Sequence, residues 1–111
     1  MKDLILKNLA QVNLSNTITS VYTVPIDKTT IISEILVYNS GSTDAIVKIY
    51  FVKNGDTIES KNLVYPSISI KSNETKSIIS NTILETGSQI HIGLTENLTN
   101  VACNISGTEI L

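Results

Sequence analysis

Few residues in this chain have side chains that commonly carry out catalysis. His91 is the only histidine and Cys103 the only cysteine among the 111 residues. We therefore find no Ser-His-Asp triad, Cys-His pair or multi-histidine metal site within one chain. His91 falls on the predicted outward face of a strand, where a solvated side chain is expected. Cys103 falls between Val101 and Ile105 on an inward face, which favours a small buried hydrophobic residue over a nucleophile.

The carboxylates offer no catalytic pattern either. Six of them fall in or beside predicted turns, where acidic side chains are usually solvated: Asp27, Asp44, Asp56, Glu74, Glu85 and Glu96. Their spacing matches no calcium-binding loop, and no two of them are marked out as a glycosidase pair. The 5 glycines form no phosphate-binding loop. The sequence predicts a protein that is not an enzyme and that has no metal or cofactor site.

The four tyrosines are the candidate contact residues. Tyrosine is favoured at protein interfaces because it joins an apolar ring to a polar hydroxyl, and its ring also stacks on sugars. Each tyrosine could instead close an edge of the core. We predict that at least one of them lies at a protein contact: Tyr22, Tyr38, Tyr50 and Tyr65.

Composition narrows the class of protein. A chain of 111 residues fits one domain, and 18 isoleucines against one phenylalanine and no tryptophan predict an aliphatic core. The net charge is -2, and the 8 basic residues are lysines scattered along the chain, which argues against a nucleic-acid partner. A single cysteine excludes an internal disulfide, as in proteins that assemble in the cytoplasm. We see no secretory signal, and no apolar run approaches the ~20 residues of a membrane span.

The strongest secondary-structure signal is a pair of strands joined at a proline. The short extended run Val21 to Val24 ends at Pro25, and a polar corner, Ile26 to Lys28, follows it. Thr29 to Asn39 is a long β-branched run, which suits a pleated sheet better than a helix. We interpret these segments as two core strands.

Shorter strands are predicted on both sides of this pair. We expect one strand near 9–15 and another over 45–54. Asn54-Gly55 then predicts a type I′ hairpin turn that returns the chain through 57–65. Pro66 should interrupt the returning strand and place it at an edge or at a switch between sheets.

The remaining strands follow at similar spacing. We expect a short strand at 68–71 and a weak one over 75–84 that breaks at Ser80-Asn81. The two clearest alternations come last, over 90–94 and 101–106, and each has one apolar face. No helical period is long enough to predict a helix.

These elements predict an all-β fold with about eight strands and little or no helix. We expect an antiparallel two-sheet β-sandwich, jelly-roll-like in character. The whole chain, 1–111, should form a single domain. Residues 1–8 are either part of the sheet or an N-terminal arm that docks on a neighbour.

Several short motifs occur in a characteristic order. Tyr-Thr-Val-Pro at 22–25 precedes a polar corner with Lys28 and the strand 31–39, which ends in Asn. Leu-Val-Tyr at 63–65 precedes a proline, and 82–90 resembles a Leu-x-x-Gly-Asp-x-Ile turn. This order resembles a family of small bacteriophage virion proteins.

The likeness extends over most of the chain, from about Val12 to Ile110. Two positions depart from the family pattern. Asp27 stands where the family usually has Gly, and Ser88 stands where it usually has Asp. The resemblance therefore does not define the conformation of the turns that contain these two residues.

The resemblance implies a structural component of a phage virion that has no catalytic residues. Such a protein would decorate the capsid, belong to the neck, collar or head–tail connector, or accompany the tail, after assembly in the host cytoplasm. It would bind copies of itself as a homo-oligomer, and other virion proteins, through edge strands, an arm and surface loops. Nucleic acid and membrane would not be partners.

Two other classes stay open. A carbohydrate- or receptor-binding β-sandwich would need two or more tyrosines that are exposed and coplanar, so that they could hold a glycan of the host surface. Few aromatic residues disfavour this alternative. A bacterial adhesion or sporulation-type sandwich domain is the third class, and the missing secretory signal disfavours it.

Overall fold

Eight strands make up nearly all the regular structure of residues 6–110, the part of the chain that the computed structural model describes. One 3-10 helix, Ser60–Asn62, lies between the fourth and fifth strands, and no α-helix forms in this part of the chain. The strands are β1 (Lys7–Asn13), β2 (Thr19–Thr23), β3 (Thr29–Asn39), β4 (Ala45–Val52), β5 (Leu63–Ile70), β6 (Glu74–Leu84), β7 (Gln89–Leu94) and β8 (Val101–Ile110).

These strands form two antiparallel sheets of four strands each. The long sheet has the order β1-β8-β3-β6, and the short sheet has the order β2-β7-β4-β5. The chain passes from one sheet to the other at every connection except that between β4 and β5. This is the strand order of a jelly roll, so the predicted all-β sandwich is confirmed.

The central strand of the long sheet is β3, which pairs with β8 on one side and with β6 on the other. Its residues alternate between buried and half-buried positions, as expected for a strand with one covered face. Fully buried aliphatic residues of both sheets meet beneath it and form one core: Ile32, Ile35 and Val37 from the long sheet, and Val47, Ile49, Ile90 and Ile92 from the short one.

A β-bulge in the middle of β3 keeps this strand in register with the core. Between Ile32 and Glu34 the pairing shifts against both neighbouring strands. Ile32 and Ile35, three residues apart, consequently both point inward and are fully buried. Strict alternation would turn one of them to the outside.

The type I′ turn predicted after β4 is wrong, although β4 and β5 do pair as an antiparallel hairpin. Of the pair Asn54-Gly55 only the glycine has a positive φ, of 89°, whereas a type I′ turn requires it at both residues. The chain does turn here, because the Asp56 N–H donates to the Lys53 carbonyl oxygen at 3.0 Å. It then continues through a loop and the 3-10 helix, so the first half of the expected return strand is not a strand.

Two predicted interruptions of strands are also wrong. Pro66 lies within the unbroken β5, and the separate strand expected at 68–71 is the second half of β5. As predicted, β5 is an edge strand, and its register against β4 shifts opposite the proline, where a missing N–H costs least. Ser80-Asn81 likewise lies within β6, where Asn81 has a φ of 50° at a bulge.

The N-terminal part and the proline corner agree with expectation in outline. The strand predicted near 9–15 is β1, which begins two residues earlier. Most of the proposed arm, 1–5, lies outside the described residues. The corner after Pro25 carries the chain between the sheets, and Asp27 there has a φ of 60°. Within the described residues no helix could span a membrane.

Gly107 marks the closest approach of β8 to β3 and supplies a test of the register. A Cβ on this residue would lie 2.3 Å from the Ile31 carbonyl oxygen and 2.9 Å from the Leu9 Cδ1. We expect Gly107→Ala to lower the free energy of unfolding by about 1–3 kcal/mol in urea denaturation, because the backbone must move apart. Ser106→Ala, whose side chain points outward, should change it by less than ~0.5 kcal/mol, and equal effects would contradict the register.

Candidate contact surface

The outward face of the long sheet is nearly free of charge. Its strands are 7 to 11 residues long, against 5 to 8 residues in the short sheet. Directly opposed residues point to the same side of a sheet, so the register shows where each charged residue faces. Among the charged residues in the described strands of this sheet, only Glu34 points outward. The other four oppose inward positions of neighbouring strands: Lys7, Glu74, Lys76 and Glu109.

Aliphatic side chains occupy much of this face where β3 and β6 lie side by side. Ile79 and Ile83 on β6 are 65% and 66% exposed. Ile31 of β3 lies opposite Ile83, and Leu36 and Tyr38 follow on the same side of β3, all three half-buried. We call these five residues the β3–β6 patch. Isolated exposed hydrophobic residues are ordinary, whereas contiguous ones mark interaction sites.

The charged residue beside the β3–β6 patch, Glu34, forms a hydrogen bond within the sheet. The Ser77 hydroxyl on β6 donates to Glu34 Oε2 at 2.5 Å. Glu34 lies directly opposite Ile79, and Ser77 lies directly opposite Leu36. A carboxylate that already accepts a hydrogen bond loses less when a partner displaces water from it. The five patch residues are themselves uncharged, and Glu34 keeps one hydrogen bond when a partner covers it.

Three of the candidate tyrosines lie on separate surfaces. Tyr38 belongs to the β3–β6 patch. Tyr50 is half-buried on the outward face of the short sheet, opposite His91. Tyr65 packs against the core and meets Phe51 edge-to-face, with ring centroids 6.4 Å apart. These tyrosines do not form a shared platform.

Tyr22 is not available for contact, so its prediction as a contact residue is corrected. It is 9% exposed, and its hydroxyl lies 2.8 Å from Thr30 Oγ1 while it donates to Glu109 Oε2 at 2.6 Å. The Lys7 ammonium lies 2.5 Å from Glu109 Oε1. This cluster links β1, β3 and β8 of the long sheet to β2 of the short sheet. No sequence pattern indicated it, because Tyr22 and Glu109 are 87 residues apart.

The cluster shifts the acidities of both hydrogen-bonded partners. Burial, the hydrogen bond to Glu109 and the nearby carboxylate charge raise the pKa of Tyr22 to about 12, although the Thr30 hydroxyl opposes this. The hydrogen bonds from Lys7 and Tyr22 hold the pKa of Glu109 below its ordinary value, against the opposing effect of burial. The cluster therefore favours a neutral tyrosine and an ionised glutamate.

Tyr22→Phe tests this cluster through its pH dependence. At neutral pH we expect a loss of about 1–3 kcal/mol in the free energy of unfolding, because the substitution removes a hydrogen bond to a charged group. A pKa raised from 10.0 to about 12 on folding gives a stabilisation that is complete below pH 10 and is lost as the pH rises through about 12. The stability difference between wild type and Tyr22→Phe, from urea denaturation at several pH values, should therefore shrink over that interval. A difference that does not change with pH would contradict the cluster.

The two residues most often used in catalysis, His91 and Cys103, have no catalytic surroundings in the described part of the chain. His91 is half-buried, its Nε2 lies 2.8 Å from Gln89 Oε1, and burial lowers its pKa. Cys103 is fully buried as predicted, and burial raises the pKa of its thiol to about 11, partly offset by a hydrogen bond with the Val12 backbone. Among residues 6–110, no three His, Cys, Asp or Glu side chains come together as a metal site.

The burial of Cys103 predicts that its thiol is inert in the folded protein. Both lack of access and a low fraction of thiolate slow alkylation. N-ethylmaleimide at mildly alkaline pH should leave the native protein unmodified and should label the urea-unfolded chain completely, as measured by mass spectrometry. Rapid labelling of the native protein would contradict the position of Cys103 in the core.

No protein-family model and no curated protein matches this chain. Its function is therefore inferred from its own surfaces. The β3–β6 patch combines exposed aliphatic side chains, a tyrosine and low charge in one flat area.

Proposed function

We propose that this chain is a non-enzymatic structural protein of a bacteriophage virion and that it acts through protein contacts made by the β3–β6 patch. The patch is the observation that carries the proposal. Interface cores are depleted of charged residues and enriched in tyrosine relative to the rest of the surface. Ile79 and Ile83 expose about two thirds of their surface on a sheet face where, within the described strands, Glu34 is the only charged residue.

The size of the outward face suits a stable interface. Four strands about 4.8 Å apart, with some ten residues at about 3.4 Å each, cover roughly 650 Å² of flat area. Side chains add relief to this area, and a standard interface buries about 800 Å² on each partner. A second copy of the chain that covers the whole outward face, and not the β3–β6 patch alone, would form a self-complementary contact of about this size. We therefore expect a homo-oligomer.

The virion setting is supported by the order of sequence motifs and by one turn. Jelly rolls occur in viral capsids but also in lectins and cupins, so this fold does not distinguish these classes. The corner residue Asp27, which stands where the phage family usually has glycine, has a φ of 60°. Glycine adopts such a conformation without strain, so the glycine of the family pattern is compatible with the φ of this corner.

The native mass in solution tests the proposed contact. We expect light scattering behind a sizing column to show an oligomer for the wild type. Ile79→Glu should reduce it to a monomer of unchanged circular dichroism, because it would bury a second carboxylate directly opposite Glu34 within the contact. Ile46→Glu, the same substitution at an exposed isoleucine on the outward face of the short sheet, should leave the oligomer intact.

A monomeric wild type would exclude self-assembly through this patch and leave another virion protein as the partner. The virion setting has its own test. Mass spectrometry of purified particles from the phage that encodes this chain should detect it in fixed stoichiometry to the major capsid or tail protein. Its absence from the particles would contradict the proposal.

A further inference from the structure

A cleft of about 430 Å³ opens between the end of β6 and the loop that joins β4 to β5. Phe51 at the end of β4 and Ile83 on β6 supply apolar walls, and the turn between β6 and β7 closes one side with Ser88. Ligand sites typically have volumes of ~300–1,000 Å³. The cleft is thus large enough for a small organic ligand.

Asn62 supplies a hydrogen-bond donor that the protein does not use. This residue lines the cleft, is only 5% exposed and accepts a hydrogen bond at Oδ1 from the Glu59 N–H at 2.7 Å. Its amide Nδ2 has no hydrogen-bond partner among the described residues. In this part of the chain, every polar side-chain atom that is inaccessible to solvent does have a partner. The Nδ2 atom must therefore retain an accessible surface, and the cleft is the space that Asn62 adjoins.

Ser88 is in the same position on the opposite wall. It is 3% exposed and lines the cleft, and its backbone N–H and C=O are engaged with Glu85 and Val24. The hydroxyl makes no hydrogen bond within the described part of the chain, and it is not sealed from solvent. The Asn62 amide and the Ser88 hydroxyl thus both adjoin the cleft, and each has a hydrogen-bonding group that no protein atom uses.

The charged residues at the cleft balance one another. Lys53 and Lys61 face Asp56 and Glu85 in its lining. The Lys61 ammonium lies 3.6 Å from an Asp56 carboxylate oxygen, so this pair is largely satisfied internally. Equal numbers of each sign disfavour a strongly charged ligand and leave donors and acceptors for a neutral one.

We propose that this cleft binds a neutral saccharide unit. A sugar hydroxyl both donates and accepts, so it can accept from the Asn62 amide and exchange a hydrogen bond with the Ser88 hydroxyl. The C–H face of a pyranose ring is apolar and suits the walls of Phe51 and Ile83. This proposal does not rest on the proposed virion role, although Ile83 belongs both to the cleft and to the β3–β6 patch. None of the four tyrosines takes part in it.

Saturation-transfer NMR with the complete chain tests the site. The probes are glucose, galactose, N-acetylglucosamine, oligosaccharides cut from a bacterial surface polysaccharide, and glucose 6-phosphate. We expect at least one neutral probe to bind. Ser88→Ala should weaken its binding by about three- to tenfold, because it removes one hydrogen bond and leaves the ligand hydroxyl unpaired.

Two further variants make the result specific. Asn62→Asp keeps the acceptor for the Glu59 N–H but removes the amide donor, so it should weaken the same probe by a similar factor. Ser20→Ala, an exposed serine on the edge strand β2, is the matched control and should bind as the wild type does. Thermal denaturation should confirm that all three variants are folded.

Each outcome decides the proposal. Binding that weakens in Ser88→Ala and Asn62→Asp alone supports it. If the free monosaccharides bind, the natural ligand is a soluble sugar. If only the oligosaccharides bind, the natural ligand is a surface glycan. Failure of every neutral probe to bind, binding of the phosphorylated sugar only, or binding that neither variant weakens would overturn it.

Discussion

The covered face of β3 is the constraint on which the rest of this structure depends. The central inward residues of β3, Ile32, Ile35 and Val37, have aliphatic side chains that cannot form hydrogen bonds, and each stabilises the fold by about 1.5–3 kcal/mol only when it is removed from water. One sheet cannot cover itself, so nearly every connection carries the chain across to the opposite sheet. The bulge after Ile32 has the same effect, because it turns Ile35 toward the core. Strict alternation would point this side chain to the outside.

The core ends where polar groups must be satisfied within the protein. Thr30 precedes the inward aliphatic residues of β3 and is fully buried, so its hydroxyl needs a partner. Tyr22 provides one from the other sheet, and Glu109 with Lys7 completes the group at the edge. The tyrosine that leads the most recognisable sequence motif thus acts as a link between sheets, which explains why a surface role does not suit it.

Local periodicity was sufficient to predict the strands that are buried on one face. The bounds of β3 are those expected, Thr29–Asn39, and the inward residues of the last two strands were predicted from their alternation. Edge strands were harder, since β5 accommodates Pro66 and β6 accommodates Asn81 by means of bulges that no local pattern indicates. The prediction that a strand begins directly after Gly55 was wrong for a related reason. A turn signal in the sequence does not show whether a strand or a loop follows the turn.

The functional surfaces depended on register and on distant contacts, which local patterns do not contain. The outward position of Ile31 follows from alternation in β3, but its contact with Ile83 requires the pairing of β3 with β6. The cleft brings together Asn62 and Ser88, which lie 26 residues apart and on different elements. Neither residue type is informative by itself, because asparagine and serine are common in loops. Only their burial with unused hydrogen-bonding groups distinguishes them.

Ile83 connects the two surfaces, and this has a thermodynamic consequence. The residue belongs to the β3–β6 patch and also forms one wall of the cleft. A partner seated on the patch would therefore contact the rim of the cleft, and a ligand in the cleft would contact a residue that the partner covers. Any effect of one on the affinity of the other must be equal in both directions, because binding free energies are linked. Ile79 lies on the patch without lining the cleft, so a substitution there separates assembly from ligand binding, whereas one at Ile83 would disturb both.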